Sequence, residues 1–251
     1  MKEQIIACLG SSTVAGKGQA YNLIGELQKK PENEHVRFLN FGVGGDLAYN
    51  ALERLPRVIA ARPDQVIVII GGNDILASVF PNVWRIFRLT KHVPQQPSLE
   101  WFKENVQSIV RELKAKTTAR VALVSLPQVG EDPNSNNAAQ ERLNALYRQY
   151  AEVLKEVAQH EQVTYIPFYE RLQEQIAMSP GRAFTAFRFL PFYRDTFRYF
   201  VLRKSGDEIA RLNGWKFHVD GVHLNSRGGA MLADLMQEFI TDASVVTVDA
   251  I

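Results

Sequence analysis

Short runs of aliphatic and β-branched residues alternate along this chain with longer segments whose apolar positions recur at helical spacing. Gln4-Ile5-Ile6-Ala7-Cys8-Leu9 reads as a first strand and His35-Val36-Arg37-Phe38-Leu39-Asn40-Phe41 as a second. Gln65-Val66-Ile67-Val68-Ile69-Ile70 is a continuous run bounded by Asp64 and Gly71. A run of that kind suits a strand covered on both faces, as in a parallel sheet. Residues 120–126 and 163–168 supply a fourth and a fifth strand.

The intervening segments predict helices over 21–30, 47–61, 101–114 and 139–160, with Pro56 bending or interrupting the second. The fourth carries Leu143, Leu146, Tyr147, Tyr150, Val153, Leu154 and Val157 along one side. A last helix over 225–240 begins at Asn225, a good N-cap residue. Strand–helix alternation with right-handed crossovers predicts an open α/β sheet with helices on both faces. Two segments break the rhythm: 76–98, with Pro81, Pro94 and Pro97, and 180–205, with eight aromatic residues and five arginines. Both read as insertions into one domain spanning 1–251.

Composition adds exclusions. With 46% hydrophobic and 22% charged residues, the 251-residue chain has ample material for a core and is not disordered or fibrous. A formal charge of +2 leaves no overall electrostatic footprint for nucleic acid. The single cysteine, Cys8, excludes an intramolecular disulfide and a thiolate zinc site. No other metal-ligand spacing is visible. No stretch reaches the roughly 18–20 apolar residues of a membrane span. The apolar segment from Ile5 to Leu9 is shorter than a secretory signal core, so the sequence as it stands reads as cytoplasmic. A chain relieved of its leader would read the same way.

Ligands of open α/β sheets bind beyond the carboxyl ends of the strands. Gly10-Ser11-Ser12-Thr13 follows the first strand, Gly42-Val43-Gly44-Gly45-Asp46 the second and Gly71-Gly72-Asn73-Asp74 the third, and Asp220-Gly221-Val222-His223 precedes the last helix. These residue types suit acyl transfer. A serine hydroxyl needs a base, usually histidine, and the histidine needs a carboxylate on its other ring nitrogen. Asp220 and His223, three residues apart, can meet within one turn. Backbone N–H groups near Ser12 and Gly45, with the Asn73 carboxamide, can stabilise an oxyanion.

The four blocks, in this order, resemble those of the SGNH (GDSL-type) hydrolases over nearly the whole chain. The resemblance implies Ser12 as nucleophile, His223 as base and Asp220 as its orienting partner. Ser12, Gly45 and Asn73 would form the oxyanion hole. It implies a flavodoxin-like three-layer sandwich around a five-stranded parallel sheet. It also implies a serine esterase, lipase-like in type, acting on a small-molecule ester without metal or cofactor. The family's usual aspartate before the nucleophile is Ser11 here.

Three other readings compete. The stretch Gly10 to Gly18 looks superficially like a phosphate loop, but five residues separate Gly10 from Gly16 and Gly18 occupies the Mg²⁺-binding hydroxyl position. A non-catalytic binding module on the same fold would have no need of Asp220 and His223 together. Deacetylation of a carbohydrate or another small polar ester is the alternative within the same chemistry. The aromatic segment between Arg182 and Arg203 lies in sequence between the fifth strand and the Asp220 block. It is expected either to pack as an insertion or dimer contact, or to contact an acyl chain or lipid interface. In both cases Phe184, Phe187 and Phe192 are candidate pocket residues. Of the remaining histidines, His35, His92, His160 and His218, only His218 lies close to a site block.

Overall fold

A computed structural model of the chain describes residues 3–16, 20–184 and 203–242. Its centre is a parallel sheet of β1 (Gln4–Gly10), β2 (Val36–Gly42), β3 (Gln65–Ile69), β4 (Arg120–Val124) and β5 (Thr164–Ile166). The strand order is β2-β1-β3-β4-β5, the doubly wound order with a switch point between β1 and β3. Every pairing is parallel. β3 is buried along its whole length, as its unbroken apolar run predicts, while the edge strand β2 is largely half-exposed.

Eleven α-helices are described: α1 (Ser12–Ala15), α2 (Leu23–Gln28), α3 (Ala48–Glu53), α4 (Leu55–Ala60), α5 (Gly72–Val79), α6 (Pro81–Thr90), α7 (Leu99–Lys116), α8 (Ala138–His160), α9 (Phe168–Met178), α10 (Gly206–Asn213) and α11 (Ser226–Thr241). α3, α4, α7 and α8 pack as one layer, and α2, α9 and α11 as another. The result is the expected three-layer sandwich. α11 begins as predicted, with the Asn225 side chain accepting from the N–H groups of Arg227 and Gly228.

The 47–61 helix, expected to be bent or interrupted at Pro56, is interrupted and forms two helices. Arg54 sits between them, and Pro56 occupies the first turn of α4, where its missing N–H costs nothing. The 76–98 excursion is largely helical, with Pro81 opening α6. Most of the 180–205 segment, including Phe187 and Phe192, lies outside the described residues.

Register brings the functional blocks to one rim. Gly10 pairs with Gly42 on one side and Ile69 on the other, so β1, β2 and β3 end level. Gly10 is a close-approach glycine. A Cβ there would lie 2.3 Å from the Ile69 carbonyl oxygen and 2.6 Å from Val14 Cγ2.

Candidate active site

Ser12 is the first residue of α1, directly after the tight β1 exit, and is partly exposed. Ser11 is nearly buried and stands at the N-cap, but its side chain makes no capping bond. The turn is held by its backbone instead. Ala15 N–H donates to Ser11 O at 2.9 Å, and the Asn40 carboxamide donates to Val14 O at 3.0 Å. Among the described residues the Ser12 hydroxyl has no hydrogen-bond partner, which leaves Oγ available.

The loop after β2 lies against this turn, with Val43 N–H donating to Gly10 O at 3.0 Å. Gly45 has φ +79°, a left-handed conformation that favours glycine. A Cβ at this position would also meet Lys91 Cε at 3.0 Å and Phe87 Cε1 at 3.6 Å. The next residue, Asp46, anchors the loop. Its buried carboxylate takes Arg54 at 2.7 Å and Lys91 at 2.9 Å. Arg54 also donates to Phe41 O, and Lys91 to Gly44 O. Fixed charges thus clamp the loop from α3–α4 on one side and from the end of α6 on the other.

Asn73, in the first turn of α5, donates one carboxamide N–H to Asp46 O at 2.9 Å. Its side chain is therefore held beside the Gly45 loop, with a second N–H to offer. Asp74 reaches the start of α3. It is fully buried, accepts from Ala48 N–H at 3.1 Å, and its pKa is pushed up to about 7 by loss of water.

The Asp220–His223 turn is built as the spacing predicts. Asp220 Oδ2 lies 2.8 Å from His223 Nδ1, and Oδ1 accepts from the N–H groups of Val222 and His223. Both side chains remain about half exposed. The Asp220 charge raises the His223 pKa against the lowering effect of desolvation. Desolvation opposes the Asp220 carboxylate too, but the His223 charge and three hydrogen bonds hold its pKa well below the usual carboxylate range. Thr13, next to Ser12, and Leu224, next to His223, line one shallow cleft, so the two blocks are neighbours. Tyr147 of α8 lies near enough to feel the Asp220 charge, which with burial raises its pKa.

Sequence reasoning missed the group that holds this loop in place. Glu131, fully buried after β4, accepts from the N–H groups of Lys216, Phe217 and His218 at 2.7, 2.7 and 2.8 Å. The same carboxylate meets His218 Nδ1 at 2.9 Å. Burial would raise the Glu131 pKa, but the hydrogen bond and charge of His218 and the backbone donors lower it overall. Gly130 N–H also donates to Gly221 O at 2.9 Å. His218 is thereby a structural residue. More than 80 positions separate it from Glu131, and no local motif joins them. Phe184, the one described candidate among the three pocket phenylalanines, is buried in the main core beside Gly221.

Glu131→Gln places an NH₂ group among donors that all need an acceptor. It is expected to cost about 3 kcal/mol of stability. The urea midpoint at neutral pH measures this, and a midpoint matching wild type would refute the staple.

Comparison with known proteins agrees with this fold. The acetylxylan esterase of Geobacillus stearothermophilus superposes with TM-score 0.62 at 17% identity, over 96% of this chain and 95% of that one. A variant described as an acetyl-xylooligosaccharide esterase from the same organism superposes with TM-score 0.63 at 19% identity, over 98% of both chains. A protein of Parabacteroides merdae assigned as a GDSL-like lipase gives TM-score 0.62 at 16% identity, over 94% of this chain and 95% of that one. At these identities the likeness is one of fold. No curated protein matches the chain in sequence. The family described as GDSL-like lipase/acylhydrolase matches residues 8–231. With that match over most of its length, the chain belongs to the GDSL-like lipase/acylhydrolase family, whose chemistry is ester hydrolysis.

Proposed function

We propose that this protein is a serine esterase working through an acyl-enzyme on Ser12. The observation that carries the reading is the 2.8 Å contact between Asp220 and His223, on a loop next to the Ser12 turn. His223 Nε2 removes the proton from Ser12 Oγ as it adds to the ester carbonyl. Asp220 keeps the Nδ1–H tautomer and stabilises the imidazolium. The N–H groups of Ser12 and Gly45 and the free Asn73 N–H receive the oxyanion. Collapse breaks the ester C–O bond, and His223 returns its proton to the departing alcohol. Water then attacks the acyl-enzyme with His223 again as base, releasing the acid and free Ser12.

Removal of acetyl groups from a carbohydrate is the second reading. It is favoured by the acetylxylan and acetyl-xylooligosaccharide esterases among the fold relatives.

Hydrolysis of p-nitrophenyl esters from acetate to palmitate, with labelling by a serine-directed fluorophosphonate, tests the proposal. Turnover and labelling together are expected. A peak at acetate, extended to acetylated xylo-oligosaccharides, would favour the deacetylase. Neither turnover nor labelling would leave a binding module on this fold.

A further inference from the structure

α6 is an unusual surface helix. Its inner positions, Val83, Trp84 and Phe87, pack with Trp101 on a small cluster of Leu47, Ala77 and Val93. Its outer positions carry Ile86 and Leu89, 57% and 75% exposed. Three residues apart, they share one face. They are two of the five large hydrophobic residues exposed among the described residues, and a third, Val43, lies in the Gly45 loop. The inner packing already secures the helix, so the fold itself has no use for Ile86 and Leu89.

The charges on this segment are one-sided. From 75 to 99 there is no aspartate or glutamate, while Arg85, Arg88 and Lys91 are present. Lys91 is spent on Asp46 and Gly44. Arg85 and Arg88 are exposed and form no ion pair among the described residues. Bare aliphatic side chains beside unpaired arginines are the composition of a helix lying in a lipid interface. A second copy of the chain fits less well, because a two-fold contact through α6 would set these arginines against their own counterparts.

We propose that the outer face of α6 docks the protein on an anionic lipid surface. Ile86 and Leu89 enter the acyl boundary while Arg85 and Arg88 meet lipid phosphates. The inner face and the end of the same helix reach the site, since Phe87 and Lys91 flank Gly45. Docking would therefore bring the Ser12 rim toward the membrane and its esters. That consequence rests on the esterase reading; the docking does not.

Vesicle co-sedimentation with the Ser12→Ala protein separates the two, since that variant binds without turnover. Binding to phosphatidylcholine vesicles containing phosphatidylglycerol is expected, with weaker binding to phosphatidylcholine alone. Ile86→Ser with Leu89→Ser should lower partitioning at least about tenfold. Arg85→Gln with Arg88→Gln should lower it on anionic vesicles by about tenfold and leave little salt dependence. In an otherwise wild-type chain, the Ile86 and Leu89 changes should leave hydrolysis of soluble p-nitrophenyl acetate unaltered. No binding, or binding equal in the variants, would overturn the proposal. So would a dimer that dissociates on the Ile86 and Leu89 changes, which would identify a second copy as the occupant.

Discussion

Ser12→Ala is expected to lower turnover of any ester substrate by a factor of about 10³ or more, with the fold intact. The side chain is partly exposed at the start of a four-residue helix and has no bond among the described residues for alanine to break. Its removal therefore leaves the turn, which the backbone and Asn40 hold, undisturbed. What is lost is the proposed nucleophile. The remaining oxyanion donors and His223 would sustain only slow attack by water. Ser11→Ala provides the internal control. Ser11 is nearly buried and caps nothing, so its hydroxyl gives the turn little. Only a weakened rate is expected there. Measurement of kcat/KM on one short-chain ester, with circular dichroism to confirm folding, decides between them. A larger loss at position 11 would move the nucleophile by one residue.

The parts of this site legible in the sequence are those whose partners are close along the chain or directly follow a strand. Asp220 and His223 meet because three residues of turn bring them together. Ser12, Gly45 and Asn73 reach one rim because β1, β2 and β3 end level, and the three apolar runs already marked those ends. The five strands follow from the same runs, with boundaries displaced by one to two residues. Supports that depend on tertiary closure were not legible. Glu131 reaches the 216–218 backbone across the fold, and Asp46 recruits Arg54 and Lys91 from two separate helices. Helix α6 was obscured by Pro81, which reads as a breaker inside a helix and as a good start at its first position. The interruption expected at Pro56 falls two residues earlier, at Arg54, whose guanidinium is held by Asp46 and Phe41 O, while Pro56 sits in the first turn of α4.

Asp220→Asn is the second change with a large expected effect, and pH separates its causes. Asparagine preserves the shape of the turn but can present an N–H where His223 Nδ1 needs an acceptor. A loss of about 10⁴ in kcat is the expected size. Under the proposed mechanism the base acts in its neutral form, so activity should rise with pH through the His223 pKa. The Asp220 charge raises that pKa above the ordinary value of about 6.5, which sets the acid limb of kcat/KM above it. Without that charge, desolvation is the remaining influence and lowers the pKa. The limb in D220N should therefore shift to lower pH while the plateau falls. Stability has the opposite sign on this limb. The raised His223 pKa contributes stability below about pH 6.5, which is lost as pH rises through its folded value. The depressed Asp220 pKa contributes above about 3.9, which is lost as pH falls. The charged pair thus steadies the loop most in the interval where His223 is protonated and idle as a base. Moving into the active range gives up part of that support, and Glu131 then holds the loop through Lys216, Phe217 and His218. Urea midpoints across this range should decline with pH in wild type and be flatter in D220N. An acid limb unmoved by the substitution would mean that a group other than His223 controls the profile.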